Sequence, residues 1–142
     1  MRPSDLATRM QPVLVRYHWP SWAGAATVAL LAVIGVHTKF AHGIVVAAIV
    51  YWVWGAVRGQ LWRPGRLTLE TAGVVLFGAV MVVALALDGE QARLVLAAGW
   101  LAHAGWDVAH HRADLIVPRW YAEFCGVLDV LLAVVVLTLP TS

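Results

Sequence analysis

The sequence predicts an all-α fold: an integral membrane bundle of five transmembrane helices with its N-terminus in the cytoplasm. Three observations favour this fold, namely an apolar composition, five long apolar stretches, and basic residues that cluster in alternate connections. The 142 residues are 61% hydrophobic and 13% charged, with a mean hydropathy of +0.77, whereas soluble domains are about 45–50% apolar and about 25% charged. A chain this apolar has too few polar side chains to cover a water-facing surface, so part of its solvent is lipid.

Each apolar stretch approaches the ~20 residues that a helix needs to cross ~30 Å of hydrocarbon. The first lacks a small-residue cleavage site, so we expect it to be retained as a helix rather than removed as a signal peptide. The connections are short, which makes consecutive helices antiparallel neighbours and predicts a single domain over residues 1–142. We place the helices at about residues 20–36, 40–57, 67–87, 92–109 and 120–139.

The basic residues divide unequally between the two sides of such a bundle. If five helices alternate in direction, eight of the ten Lys and Arg residues fall on one side, and only Lys39 and Arg93 on the other. An excess of Lys and Arg marks the cytoplasmic side. We therefore expect a multi-pass protein of the cell inner (plasma) membrane, with its C-terminus on the outer face. Membrane orientation also accounts for the net charge of +2, so nucleic acid is not expected as a partner.

Several common chemistries lack their motifs in this chain. Cys125 is the single cysteine, which excludes an intrachain disulfide and a CxxC site. No GxxxxGK[ST], GxGxxG or GxSxG sequence occurs, which argues against nucleotide hydrolysis and serine-hydrolase chemistry.

The residues that predict chemistry begin on the fourth helix, towards its cytoplasmic end. At 100° per residue, three imidazoles and one carboxylate fall on one face of this helix. Such side chains are costly in contact with lipid, so they are expected to face the bundle or a water-filled pocket. They are His103, Asp107, His110 and His111.

The fifth helix adds two acidic residues to this cluster, Glu123 and Asp129. Counting about 1.5 Å per residue from each helix end, an antiparallel hairpin sets His103 at the depth of Asp129. The same count sets Asp107 at the depth of Glu123. We therefore expect these two pairs to be in contact.

A metal site is one interpretation of the cluster, because imidazoles and a carboxylate at this spacing are typical of helical Zn and non-haem Fe sites. Glu123 would then act as a base or fourth ligand, and Asp129 would orient an imidazole. The protein would be a metal-dependent enzyme acting on a lipid or isoprenoid-like substrate. The ligands of the divalent metal (Zn or Fe) are predicted to be His103, Asp107, His110 and His111.

Two alternatives use the same residues. In a metal-free acid/base isomerase or cyclase, the buried carboxyl groups would stay protonated and act as acids, while nearby aromatic rings would shelter a cation. In a non-enzymatic membrane subunit, or a metal or proton handler, the polar cluster would pair helices or relay charge. An enclosed pocket beside the cluster, wide enough for a substrate, would favour an enzyme, whereas direct His–carboxylate contacts without a cavity would favour a structural role.

The segment from Trp100 to Asp129 contains HAGWDVAHH followed by VPRWYAEFCGVLD. It resembles a group of small bacterial polytopic membrane proteins that carry a HAxWDxxHH element. The resemblance covers roughly the last third of the chain. It implies a compact helical membrane protein, and implies neither a substrate nor catalytic residues.

The predicted topology places the residue 58–66 connection in the cytoplasm and the C-terminus outside. Reporter fusions at Ser142 and within that connection should therefore respond on opposite sides of the membrane. Two reporters on the same side would contradict the five-helix arrangement.

Overall fold

The computed structural model describes residues 18–33 and 40–138, and every regular element in these residues is an α-helix. It confirms the all-α class. The helices predicted for residues 34–36 and 139 extend outside the described residues. The five described helices are α1 (Trp19–Val33), α2 (Phe40–Val57), α3 (Arg66–Ala86), α4 (Gly89–Ala113) and α5 (Arg119–Thr138).

Helix α4 differs most from its predicted bounds, beginning at Gly89 rather than residue 92 and ending at Ala113 rather than 109. The additional residues, 89–91 and 110–113, include polar side chains, and a count based on apolar stretches leaves these out. Asp114 ends the helix in a left-handed conformation (φ 52°), and its backbone N–H donates to the His110 carbonyl. That bond satisfies one of the carbonyls that a helix C-terminus leaves unpaired.

Three described helices, α2, α3 and α5, are long and apolar enough to cross a membrane. Their outer faces carry large exposed apolar side chains such as Val46, Val75 and Val130, as a lipid-facing surface requires. Helix α1 is described over 15 residues, and α4 has 25 residues but is the least apolar of the five. Five crossings and the inner membrane as their location stay predictions.

Helices α4 and α5 form the most extensive pair, and α4 also contacts α2 and α3, while α1 packs on α5. The pair is antiparallel: near one end Arg93 Nε donates to the Val136 carbonyl at 3.1 Å. Further along, His103 of α4 meets Asp129 of α5. The short connection between the two helices produces this arrangement, as predicted.

The apolar core draws on all five helices. Val28, Ile44, Phe77, Trp100 and Leu132, one from each helix, belong to a single buried cluster. A smaller apolar cluster gathers around Tyr51 and the connection between α4 and α5. Phe77 of the larger cluster packs on His103, and Tyr51 of the smaller one bonds to Asp107, so the two clusters meet at these buried polar residues.

Helix α4 approaches α2 and α3 closely at Gly99. A Cβ at this position would lie 2.5 Å from Val80 Cγ1 and 2.9 Å from Ile44 Cδ1. A Cβ at Gly105, on the same helix, would meet no atom of the described residues within 4 Å. The two glycines therefore differ in packing while they share a helix.

We expect Gly99→Ala to lower the free energy of unfolding by about 1–3 kcal/mol, because overpacking displaces Val80 or Ile44. Gly105→Ala is the matched control and should leave stability unchanged or raise it by up to about 1 kcal/mol. Denaturation of the detergent-solubilised protein with SDS measures both. Equal effects of the two variants would contradict the close approach at Gly99.

Candidate metal centre

Three side chains of the metal-ligand type meet at the interface of α4 and α5. His103 and Asp107 lie one turn apart on α4, so they share a face, and the antiparallel α5 brings Asp129 to them. All three are buried, with relative exposures of 0%, 0% and 1%. One candidate ligand atom from each lies within 4.8 Å of the other two. We call these three residues the buried triad.

The imidazole of His103 lies between the two carboxylates. Its Nδ1 is 2.6 Å from Asp129 Oδ2 and 3.6 Å from Asp107 Oδ2. The shorter distance is that of a charge-assisted hydrogen bond, with Nδ1–H donating to Asp129. It confirms the predicted contact between His103 and Asp129.

Asp107 is also held by a helix that the sequence argument did not connect to it. The Tyr51 hydroxyl of α2 donates to Asp107 Oδ1 at 2.6 Å, with both groups buried. The ring of Tyr51 lies edge-on to the His103 ring, at 6.0 Å between centroids, and the Phe77 ring lies 4.6 Å from it. These aromatic rings fix the imidazole between α2 and α3.

Two polar atoms of the buried triad, His103 Nε2 and Asp107 Oδ2, have no hydrogen-bond partner among the described residues. A buried acceptor without a partner costs about 1–3 kcal/mol. Asp107 Oδ2 and Asp129 Oδ2 both face His103 Nδ1. A cation in contact with all three residues would therefore give Asp107 Oδ2 a partner.

The charges of the buried triad do not balance within the described part of the protein. It contains two carboxylates and one imidazole, and among the described residues no Lys or Arg forms an ion pair with Asp107 or Asp129. With both carboxylates ionised, even an imidazolium leaves one negative charge buried, which is costly. A divalent cation with two carboxylates and a neutral imidazole is electrically neutral, so the buried triad could hold a metal ion.

His110 is not brought into the buried triad. Its Nε2 lies 2.8 Å from Glu70 Oε1 on α3, and its Nδ1 lies 2.9 Å from the Trp106 carbonyl. A carbonyl oxygen only accepts, so Nδ1 carries a hydrogen, and the Glu70 contact then holds a second proton between Nε2 and Oε1. Glu70 is the one acidic residue of the third apolar stretch, and this isolation is the signal in the sequence that could have indicated a buried partner.

Glu123 and His111 also lie outside the buried triad. Glu123 accepts a hydrogen bond from Ser21 of α1 at 2.5 Å and lies 3.5 Å from His18 Nδ1. The structure thus pairs Glu123 with α1, and not with Asp107 as expected from depth alone. His111 and Glu123 border an open groove of about 550 Å³ between α4 and α5. The roles predicted for both residues stay predictions.

A second open groove, of about 350 Å³, reaches the buried triad at Asp129. It lies between α1, α2 and α5 and is lined mainly by apolar side chains. The site therefore combines direct His–carboxylate contacts, which a structural role requires, with an adjoining groove that is open rather than the enclosed pocket that an enzyme requires.

No family model, curated protein or solved structure matches this chain. The interpretation of the site therefore depends on its own geometry.

Removal of the Tyr51 hydroxyl should leave Asp107 Oδ1 buried without a partner. We expect Tyr51→Phe to lower the free energy of unfolding by about 1–3 kcal/mol. In an Asp107→Leu background, where no acceptor remains, the same change should cost well under about 1 kcal/mol. This double-mutant cycle isolates the pair, and purely additive effects would show that the hydrogen bond contributes nothing.

Proposed function

We propose that the protein is a membrane metalloenzyme in which His103, Asp107 and Asp129 hold a divalent Zn or Fe ion. Its substrate would be lipid-soluble and would reach the site from the membrane. One observation carries the proposal: two fully buried carboxylates share a single imidazole and pair with no Lys or Arg among the described residues. Buried charges of this kind are usually paired or coordinate a metal.

Different residues of the protein would have separate roles at such a centre. His103 would bind through Nδ1, the nitrogen that both carboxylates face. Tyr51 orients Asp107 through its hydroxyl, and Phe77 packs on the imidazole. Three protein ligands leave a coordination position open, as in catalytic rather than structural zinc sites. A divalent cation supplies Lewis-acid activation of a substrate oxygen.

Loading the cation requires a proton to leave. Nδ1–H now donates to Asp129 at 2.6 Å, so this contact has to open and the imidazole has to be neutral before it can ligate. Acidification should therefore release the metal.

A second candidate is a metal-free acid/base site, either in an isomerase or cyclase or in a proton handler. It is favoured by the two 2.6 Å hydrogen bonds, Tyr51 to Asp107 and His103 to Asp129. The 3.6 Å contact of His103 Nδ1 with Asp107 Oδ2 brings the two bonds together. This group of acids and bases needs no cation if one carboxyl group is protonated. Metal content distinguishes the two candidates.

We expect protein purified without chelator to carry close to one equivalent of Zn or Fe, and Co²⁺ to replace it. Ligand-field absorption of the Co²⁺ form reports the ligand set directly. His103→Ala, Asp107→Asn and Asp129→Asn should each lose the metal, and acidification should release it from the wild type. Elemental analysis and absorption titration in detergent measure these outcomes.

His111→Ala is the matched control on the same helix, because His111 lies outside the buried triad. Retention of the Co²⁺ spectrum in this variant and in His110→Ala supports the three-residue ligand set. Loss of the spectrum in either would favour the ligand set predicted from sequence. Folded wild-type protein that takes up neither Zn, Fe nor Co would exclude the metal and leave the acid/base candidate.

A further inference from the structure

The open groove of about 550 Å³ between α4 and α5 is apolar along most of its length and charged at one end. Apolar side chains line it along both helices, among them Val108, Val130 and Leu131. The titratable residues of its lining gather where α4 ends and α5 begins, and they are His18, His111, Arg112 and Glu123. This division between an apolar length and a charged end is also that of a phospholipid.

The groove is about as long as one leaflet of a membrane is deep. Its lining residues on α5 extend from Ala122 to Leu131, an interval over which a helix rises about 14 Å. Half of the ~30 Å hydrocarbon core of a bilayer is ~15 Å. Helix α5 is also one of the three described helices that are long and apolar enough to cross a membrane. An acyl chain that starts at the charged end would therefore lie in the groove over the depth of one leaflet.

Arg112 is the one Lys or Arg that lines this groove in the described part of the chain. Its side chain is exposed and forms no ion pair or hydrogen bond with any described residue. The nearby carboxylates have other partners, because Asp114 pairs with Arg119 and Glu123 is held by α1. A guanidinium binds phosphate well through two parallel hydrogen bonds. The charged end of the groove thus offers an unpaired cation to a phosphate group.

We propose that the groove between α4 and α5 binds one phospholipid with an anionic headgroup. Its phosphate contacts Arg112, and one acyl chain lies along Val108 and Val130 towards Leu131. Basic pockets between transmembrane helices bind anionic headgroups in this way. No residue of the buried triad lines the groove, so the proposal goes beyond the proposed function and does not depend on a metal.

Native mass spectrometry of the full chain, released from detergent micelles, resolves bound lipids one by one. The probes are phosphatidylglycerol and phosphatidylcholine with identical acyl chains, the second carrying a choline cation that offsets its phosphate. The wild type should bind the first phosphatidylglycerol about fivefold more tightly, which is the contribution of one Arg near an anionic surface. Equal affinities for the two lipids would overturn the proposal. A dimer that binds no lipid would also overturn it, because a second copy of the chain would then cover the groove.

Arg112→Gln removes the charge while it keeps a polar side chain, and the preference for phosphatidylglycerol should disappear in this variant. Arg63→Gln is the matched control, because Arg63 is exposed and does not line the groove. It removes the same charge and should keep the preference. A preference that survives in Arg112→Gln, or that both variants lose equally, would contradict the assignment, since the net charge of the protein would then explain it.

A groove-filling variant tests where the acyl chain lies. Val130→Phe places a ring in the groove and should weaken the binding of both lipids together. Val134→Phe is the matched control one turn further along α5, because Val134 is 50% exposed, against 44% for Val130, and does not line the groove. Both positions are exposed, so neither change disturbs the core. Unchanged lipid binding in Val130→Phe, or an equal loss in both variants, would contradict the location.

Discussion

The hydrogen bond between His103 and Asp129 joins α4 to α5 where neither side chain can reach water, and much of the architecture depends on it. In an apolar environment a polar group that loses its partner gains no compensation from solvent. The rotation of both helices is therefore constrained, since turning either one would leave an imidazole or a carboxylate against hydrocarbon. This constraint positions Asp107 as well, because it lies one turn from His103 on the same face of α4.

The same principle extends to the other helices. Helix α2 is tied to α4 by the bond from Tyr51 to Asp107, and α3 is tied to α4 by the contact of Glu70 with His110. Helix α1 is tied to α5 by the bond from Ser21 to Glu123. Apolar side chains alone would pack in several registers, whereas each polar contact satisfies both partners in only one. The residues proposed to hold a metal are thus among those that specify how the helices pack.

Sequence reasoning predicted the helices well because a long apolar stretch bounded by polar residues is hard to accommodate in any element except a helix. It also predicted the meeting of His103 with Asp129, since both the helical face and the depth in a hairpin can be calculated for helices adjacent in the chain. It did not predict the partners of Tyr51 and Glu70, which lie on helices distant in sequence from the end of α4. Their contacts depend on the rotation and order of helices in the bundle, which periodicity does not specify. Depth in the membrane was not enough to predict the partner of Glu123. Glu123 and Asp107 lie at similar depths, but depth does not determine which neighbouring helix a side chain faces.

Arg93 shows how a single charge can serve the fold rather than the membrane orientation. Its guanidinium donates to the carbonyls of Val136 and Leu137 in the last turn of α5, where unpaired carbonyls and the negative end of the helix dipole attract a cation. It is one of two basic residues expected on the outer face. A charge bound in this way is locally compensated by the helix end. Arg93 thereby binds the C-terminal end of α5 to the N-terminal part of α4, and its charge is matched to the helix dipole at that end.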